Sequence, residues 1–385
     1  MSAPMRAEYE GCIAALARLP YVGPARLRML LSHHEPAEAL AGLARRGRLD
    51  PMVTRSFPAR QLAATMTAAV DADPVAELGA CRSAGVRVHV RGDAGFPVSL
   101  AADPDSPAAL FVRGDATALD RRRVGIVGTR NATAAGLATA RDLGASLAEA
   151  GVSVVSGLAR GIDGAAHAGV RRASGTDLGL PVAVVGSGPD VVYPRRHAEL
   201  WEWVAAAGLL VSEWPPGTAP DAWRFPQRNR IIAALSEVMV VVESRERGGS
   251  LITARLAADR GIEVMAVPGS PRCAASVGTN QLLRDGAGPV TSVADVITML
   301  GLDHRRNGEL PFDPRPIPSG DQATVLTACE AEPRTLDAIA ASTGLSLVDA
   351  ALAAARLERS GWLVEASGWF EPTSSRLVPD RPAAS

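Results

Sequence analysis

The sequence predicts an α/β protein whose core is a doubly wound parallel sheet, with a small helical domain before that core and a winged-helix domain after it. Two observations predict the core. From Val124 onward, short valine-rich runs recur, and nearly every run is followed by a loop containing Gly, Ser or Pro and then by a helical segment. Because the runs are apolar throughout, helices are expected to cover both faces of the sheet.

Length and composition set the outer limits of this prediction. The chain of 385 residues exceeds the roughly 250 to 300 residues over which a single hydrophobic core grows, so several domains are expected. Hydrophobic residues make up 47%, yet no stretch approaches the roughly 20 uninterrupted apolar residues of a membrane span. The N-terminal segment also lacks the basic stretch and apolar run of a secretory signal. We therefore expect a cytoplasmic protein without a membrane partner.

The first 72 residues are predicted to form a small helical domain of the helix-hairpin-helix or SAM-like kind. The turn Val22-Gly23-Pro24 joins the first two helices and resembles the tight turn of a helix-hairpin-helix, whose amide groups can contact a phosphate. A purely structural helical hairpin is the alternative. Apolar residues at helical spacing place the helices at 13–19, 25–34 and 36–47.

Six apolar runs are predicted as the strands of the core, and a different pattern follows them. In chain order the runs are VGIVG, VSVVSG, VAVVGSG, LLVSEW, VMVVVES and VMAVPGS. Beyond a charged, Pro-rich stretch, two helices and two short strands form a winged-helix pattern. The predicted boundaries are 73–302 for the doubly wound domain, 303–320 for a linker, 321–372 for the winged helix and 373–385 for a disordered tail.

Three loops that follow strands combine glycine with arginine and predict an anion-binding crevice. In an open parallel sheet, ligands bind beyond the carboxyl ends of the strands, where glycine exposes the backbone and a helix N-terminus favours negative charge. Amides before the first of these helices are expected to be free to hold an anion. A glycine that serves loop geometry alone is the alternative. The residues are Gly128, Thr129 and Arg130 after the first strand, Gly157 and Arg160 after the second, and Gly248, Gly249 and Ser250 after the fifth.

The stretch WRFPQRNR adds aromatic rings and positive charge at the start of a predicted helix. Guanidinium groups for phosphates beside rings for bases are typical of single-stranded nucleic-acid binding. The alternative is that the rings Trp223 and Phe225 are core residues and that the arginines pair with acids such as Glu213 and Glu243. The cationic residues of the stretch are Arg224, Arg228 and Arg230.

Composition excludes several other kinds of site. The net charge of −1 means that any attraction to an anion comes from a local patch. All 40 basic residues are arginine, so neither a Schiff-base lysine nor a Walker phosphate loop is available. The 4 cysteines and 6 histidines show no metal-ligand spacing, so neither a metal nor a cofactor is expected.

Two motifs that suggest other functions fail on closer inspection. The run VAVVGSGPDVVYP resembles a dinucleotide-binding fingerprint, but it lacks the third glycine, and Tyr193-Pro194 interrupts the expected helix. His167 has the chemistry of a general base, yet no nucleophile elbow accompanies it, and a packing role is favoured.

Several strings of the sequence, taken together, resemble those of the bacterial DNA-processing family DprA, also called Smf. GTRNAT, VVSGLARGIDGAAHAG, GSGPDVVYP, FPQRNRIIAALS and ESRERGGSLITARLAADRG occur in the family's order over roughly residues 75 to 300. The resemblance implies a Rossmann-like protein without catalytic activity. It would bind and protect single-stranded DNA, help to load the recombinase RecA in natural transformation, and form a homodimer through the Rossmann-like domain.

The resemblance also assigns site residues and shows small departures. Ser187 and His197 stand where the family usually has Cys and Asn, outside the assigned pocket. The winged helix has little excess positive charge, which favours a protein contact over major-groove docking. The residues that would line the DNA pocket are Arg130, Ser156, Gly157, Phe225, Arg228, Asn229 and Arg230.

Two competing functions remain open from the sequence. Similar crevices occur in phosphoribohydrolases that act on small nucleotides, but here Asn280 and Gln281 stand where a catalytic carboxylate is needed, which leaves Glu243 as the substitute. The other alternative is a structural or regulatory protein whose crevice is vestigial.

Overall fold

The computed structural model describes residues 3–93, 95–302, 315, 318–330, 332–366 and 368–373. The chain forms two compact units, Met1–Leu302 and Asp303–Ser385. Most of the predicted linker and all but the first residue of the predicted tail lie outside the described residues, as does Ser367 between the last two predicted strands.

Six helices precede the central part of the sheet in the first unit. Four of them begin with proline, whose fixed φ and missing N–H suit the first helical position. Their apolar side chains share one hydrophobic cluster with Val88 and Phe111 of the first two strands. The helices are α1 (Ala3–Arg18), α2 (Pro24–His33), α3 (Pro36–Leu43), α4 (Pro51–Arg55), α5 (Ala59–Val70) and α6 (Pro74–Ser83).

A nine-stranded sheet forms the core, in the order β1-β2-β6-β5-β4-β3-β7-β8-β9. The pairs β1–β2 and β2–β6 are antiparallel and all other pairs are parallel. The strands are β1 (Arg87–Val90), β2 (Ala109–Gly114), β3 (Arg123–Val127), β4 (Ser153–Ser156), β5 (Pro181–Val184), β6 (Leu209–Ser212), β7 (Val238–Val241), β8 (Glu263–Ala266) and β9 (Gly288–Pro289).

The predicted doubly wound fold is confirmed. The four strands β4 to β7 are buried at every position, which is why their sequences are apolar throughout. Strand order reverses at β3, which lies between β4 and β7. The helices of this part are α7 (Val98–Ala101), α8 (Ala134–Glu149), α9 (Ile162–Val170), α10 (Ala198–Ala207), α11 (Arg224–Leu235), α12 (Gly249–Ala258), α13 (Val277–Arg284) and α14 (Val293–Met299).

The second unit combines three helices with a small antiparallel sheet, in the order β10-β12-β11. The predicted pattern of two helices and two strands is present, and a first helix and a first short strand that it lacked precede it. Gly344 ends the second helix in the left-handed conformation, at φ 72°, and turns the chain into the third helix. The elements are α15 (Asp321–Glu330), β10 (Arg334–Thr335), α16 (Leu336–Thr343), α17 (Leu347–Arg359), β11 (Leu363–Ala366) and β12 (Trp369–Pro372).

Within the described ranges, no helix by itself has the length and apolar composition needed to cross a membrane. One pair, Leu336–Thr343 with Leu347–Arg359, meets that test jointly by length and composition, with a bend of 113° between the two helices.

Candidate nucleic-acid interface

A crevice opens at the carboxyl ends of β3 and β7, where the strand order reverses and ligands of open α/β sheets bind. Its cavity measures about 610 Å³. The loops after β3 and β7, the first residues of α9 and the start of α11 form its walls. All three predicted glycine loops, together with the WRFPQRNR stretch, therefore meet at one edge of the sheet.

The N-terminus of α8, which follows β3, is already occupied by a carboxylate of the protein. Glu243, just after β7, accepts hydrogen bonds from the Thr133 amide at 2.9 Å and the Thr133 hydroxyl at 2.5 Å. The Thr133 hydroxyl oxygen accepts from the Gly136 amide at 3.0 Å. The expectation that amides before this helix are free for an anion is thus wrong, because Glu243 already fills the place where nucleotide phosphates bind in related folds.

Arg228 lies beneath the crevice and is only 5% exposed. Its Nη1 donates to the carbonyls of Gly157, at 2.8 Å, and Val184, and its Nη2 lies 3.8 Å from the Asp163 carboxylate. A Cβ on Gly157 would lie 1.9 Å from Nη2, so this glycine makes room for the guanidinium. Burial lowers the pKa of Arg228 to about 10, which leaves it charged at neutral pH.

Three further predicted site residues bond to other groups of the protein. Ser156 is buried and donates to the Ile126 carbonyl at 2.6 Å. Asn229 accepts from Arg228 Nε at 3.1 Å. Arg230 pairs with Glu213 at 2.5 Å, as the alternative reading of this stretch expected, and it does not line the crevice.

An aromatic pair with a guanidinium forms the exposed wall of the crevice. The rings of Phe225 and Tyr193 stack with centroids 5.1 Å apart and planes 28° apart, and Arg130 Cζ lies 5.2 Å from the Phe225 centroid. Gly186 lies against the Phe225 ring, since a Cβ there would be 3.1 Å from a ring carbon. From the sequence, Tyr193 was expected only to interrupt a helix, and its place beside Phe225 was missed.

The loop after β7 brings two more exposed arginines, Arg245 and Arg247, to the crevice. Gly249 begins α12, whose N-cap Gly248 supplies no side-chain hydrogen bond, and a Cβ on Gly249 would meet open space. Ser250 is buried and donates to the Ser244 hydroxyl at 2.8 Å. The glycines of this loop were predicted as site residues, whereas its arginines were not.

Positive charge continues into an adjoining cavity of about 390 Å³. Arg130, Arg160 and Arg196 line it, and none of its described lining residues is acidic. The side chains of Arg130, Arg160, Arg196, Arg245 and Arg247 are exposed, and in the described part of the chain they form no ion pair.

His167 is a buried residue of α9 and does not line the crevice. Both ring nitrogens are buried without a hydrogen-bond partner among the described residues. Burial lowers the pKa of His167 to about 3, so the ring is neutral near pH 7. Across the same residues, no group of three His, Cys, Asp or Glu side chains is arranged to hold a metal ion.

Comparison with known proteins places the chain in a family. A family model described as DNA recombination-mediator protein A matches residues 87–301. The Bacillus subtilis DNA processing protein DprA is 41% identical over 224 residues, which are 58% of this chain and 74% of that protein. The Escherichia coli protein Smf is 35% identical over 291 residues, covering 71% of this chain and 74% of that protein. This chain belongs to the DprA family.

Solved structures of the DprA family share the fold. The X-ray structure of DprA from Streptococcus pneumoniae superposes with a TM-score of 0.62 at 30% identity, over 76% of this chain and 97% of that one. A DprA structure from Helicobacter pylori, described as giving insight into that protein's single-stranded DNA binding mode, superposes with a TM-score of 0.51 at 27% identity. It covers 57% of this chain and 98% of its own.

Proposed function

We propose that this chain binds single-stranded DNA in the crevice at the carboxyl ends of β3 and β7. The observation that supports this most is the group of five exposed arginines around the stacked Phe225 and Tyr193 rings. Planar guanidinium groups match phosphate oxygens, and exposed rings stack with bases of any sequence. DNA binding by the Helicobacter pylori relative supports the same assignment.

The residues at the crevice, predicted or found in the structure, then divide into contacts and supports. Arg130, Arg160, Arg245 and Arg247, with the α12 N-terminus at Gly249, hold phosphates, and the two rings hold bases. The other predicted residues line the crevice or support the elements that form it. These supporting residues are Gly128, Thr129, Ser156, Gly157, Arg228, Asn229, Arg230 and Ser250.

Family membership supports a wider role, which belongs to the same proposal. A protein of this family that holds a strand in the crevice protects incoming DNA and helps to load RecA in natural transformation and recombination. A homodimer through the Rossmann-like domain and a cytoplasmic location complete this proposal.

Binding without catalysis fits the crevice better than nucleotide hydrolysis. Glu243, the remaining candidate carboxylate, is bonded to Thr133 at the start of α8. Asn280 exchanges two hydrogen bonds with the Gly269 backbone, at 2.9 and 3.1 Å, and as an amide it cannot transfer a proton at neutral pH. We therefore assign no catalytic residue.

Binding of labelled oligothymidylate and of a matching duplex, followed by fluorescence anisotropy, tests this function. We expect the protein to prefer the single strand. Tyr193→Ala, which removes an exposed ring, is expected to weaken binding by about 1 to 3 kcal/mol with the salt dependence unchanged. Tyr193→Phe keeps the ring and serves as the control. Equal affinity for both DNA forms, or turnover of a nucleotide by the purified protein, would contradict the proposal.

A further inference from the structure

We propose that a second cavity, between α11 and the turn that precedes α2, is a base-stacking subsite for the same DNA strand. This inference rests on the proposed function. The cavity measures about 590 Å³, close to the size of the crevice itself. One side of the cavity is the Val22-Gly23-Pro24 turn, which resembles a helix-hairpin-helix. The other side is the connection between β6 and α11, with the first turn of α11.

Three aromatic rings give this cavity its stacking surface. Trp223 is 46% exposed and meets the buried Trp214 edge to face, with centroids 5.4 Å apart. Tyr21 is 54% exposed and stands on the opposite wall with φ 64°, a conformation that non-glycine residues seldom adopt. Strained residues of this kind cluster at ligand sites. Large exposed rings on both walls of one cavity are suited to a planar base.

The charge of the cavity favours an anionic ligand. Three arginines line it, and none of the described lining residues is acidic. Arg18 pairs with Glu77 at 3.2 Å, whereas Arg26 donates to the Tyr21 carbonyl at 2.9 Å and fixes the turn. Arg224 forms no ion pair within the described ranges. The nearest acid to Trp223, Asp221, accepts from its indole N–H at 2.7 Å.

Arg224 places its positively charged guanidinium against both tryptophan rings of the cavity. Its Cζ lies 4.1 Å from the Trp214 centroid and 5.2 Å from the Trp223 centroid. Its Nε is buried without a hydrogen-bond partner among the described residues, and burial lowers the pKa of the guanidinium. The N-terminus of α2 faces the same cavity without a side-chain cap and adds favourable partial charge for a phosphate.

The first turn of α11 connects this cavity to the crevice. Trp223, Arg224 and Gln227 line the cavity. Phe225, Pro226, Arg228 and Asn229 line the crevice. A strand that crosses the start of this helix therefore meets rings on both sides. The two cavities form one track for a DNA strand, with α11 as the divide.

DNA length separates the two sites experimentally. Trp223→Ala is expected to weaken binding of an oligothymidylate of about 16 nucleotides roughly tenfold, and to leave one of about 5 nucleotides unaffected because it fills only the crevice. Tyr193→Ala is expected to weaken both. Trp369→Ala, which removes an exposed tryptophan of the second unit, is the matched control. Thermal unfolding checks that each variant remains folded.

Crosslinking supplies an independent readout. Irradiation of the wild type with a long oligonucleotide carrying 5-iododeoxyuridine is expected to modify Trp223 or Tyr21, as mapped by mass spectrometry. The proposed subsite is wrong if Tyr193→Ala weakens binding while Trp223→Ala does not, and neither Trp223 nor Tyr21 crosslinks. The crevice then remains the DNA site. If neither variant weakens binding, the proposed function fails as well. A proline-rich peptide that quenches Trp223 fluorescence when DNA does not would assign the cavity to a peptide and overturn the subsite.

Discussion

Burial separates the roles of two arginines at the crevice. Arg228 and Arg130 belong to motifs that resemble the same DNA-binding family, yet Arg228 is 5% exposed and bonded to two strand ends, whereas Arg130 is exposed over the Phe225 ring. A buried guanidinium beside Asp163 holds the loops after β4 and β5 together. An exposed guanidinium remains available to phosphate.

Arg228→Ala is therefore expected to destabilise the fold. It leaves the Asp163 carboxyl, whose pKa burial already raises, without its cation, and loss of one partner of a buried pair costs about 3 to 5 kcal/mol. Urea unfolding measures the change in the free energy of unfolding. Arg130→Ala, at an exposed position, is the control and should change it by about 0.5 kcal/mol or less. Weaker DNA binding by Arg228→Ala at unchanged stability would show instead that Arg228 contacts DNA directly.

His167 is expected to make stability depend on pH. Its pKa is about 3 in the folded protein, against an ordinary value of 6.5. Between these values the unfolded chain binds a proton that the folded protein does not, so stability falls as pH falls below 6.5. From about pH 7.5 to about pH 5 the loss attributable to this residue is about 2 kcal/mol.

His167→Leu removes that titration and leaves the other groups in place. The difference in unfolding free energy between the variant and the wild type should therefore shift by about 2 kcal/mol in favour of the variant from about pH 7.5 to about pH 5. A difference that stays constant with pH would mean that His167 has the same pKa in the folded protein as in the unfolded chain.

At the scale of the element, the start of α8 is built around a carboxylate from another strand end. Glu243 bonds Thr133, and a Cβ on Gly136 would lie 2.3 Å from the Glu243 carboxyl carbon. Gly136→Ala should therefore lower the unfolding free energy of the wild type. In a Glu243→Ala background the clash is absent, and the same change should be neutral or stabilising by up to about 1 kcal/mol, because alanine favours the helix. A double-mutant cycle without coupling would contradict this account of the glycine.

Elements with a local signal in the sequence could be predicted from it. Features that depend on tertiary contacts were missed. The six strands β3 to β8 were predicted because burial, complete in β4 to β7 and partial in β3 and β8, makes them valine-rich apolar runs. The antiparallel strand β1 was missed because Arg87 and His89 interrupt its apolar run. The largely apolar β2 was missed as well. Tyr193 and Arg247 were also missed, because their position beside Phe225 and Gly249 depends on loops that meet only in the folded sheet.

At the scale of the whole molecule, positive and negative charges nearly balance. The net charge of −1 gives no general attraction to DNA, whereas the crevice gathers exposed arginines that form no ion pair in the described part of the chain. Binding should accordingly be local to this face of the first unit and sensitive to salt.

The salt dependence of single-strand binding tests this account most directly. The logarithm of the affinity of the wild type for oligothymidylate should fall linearly with the logarithm of salt concentration, and Arg130→Ala combined with Arg247→Ala should lower the slope by about 0.7 for each lost phosphate contact. Arg255→Ala, an exposed arginine at the far end of α12, should leave the slope unchanged. A wild-type affinity that does not depend on salt, or a double variant with the wild-type slope, would contradict the crevice as the DNA site.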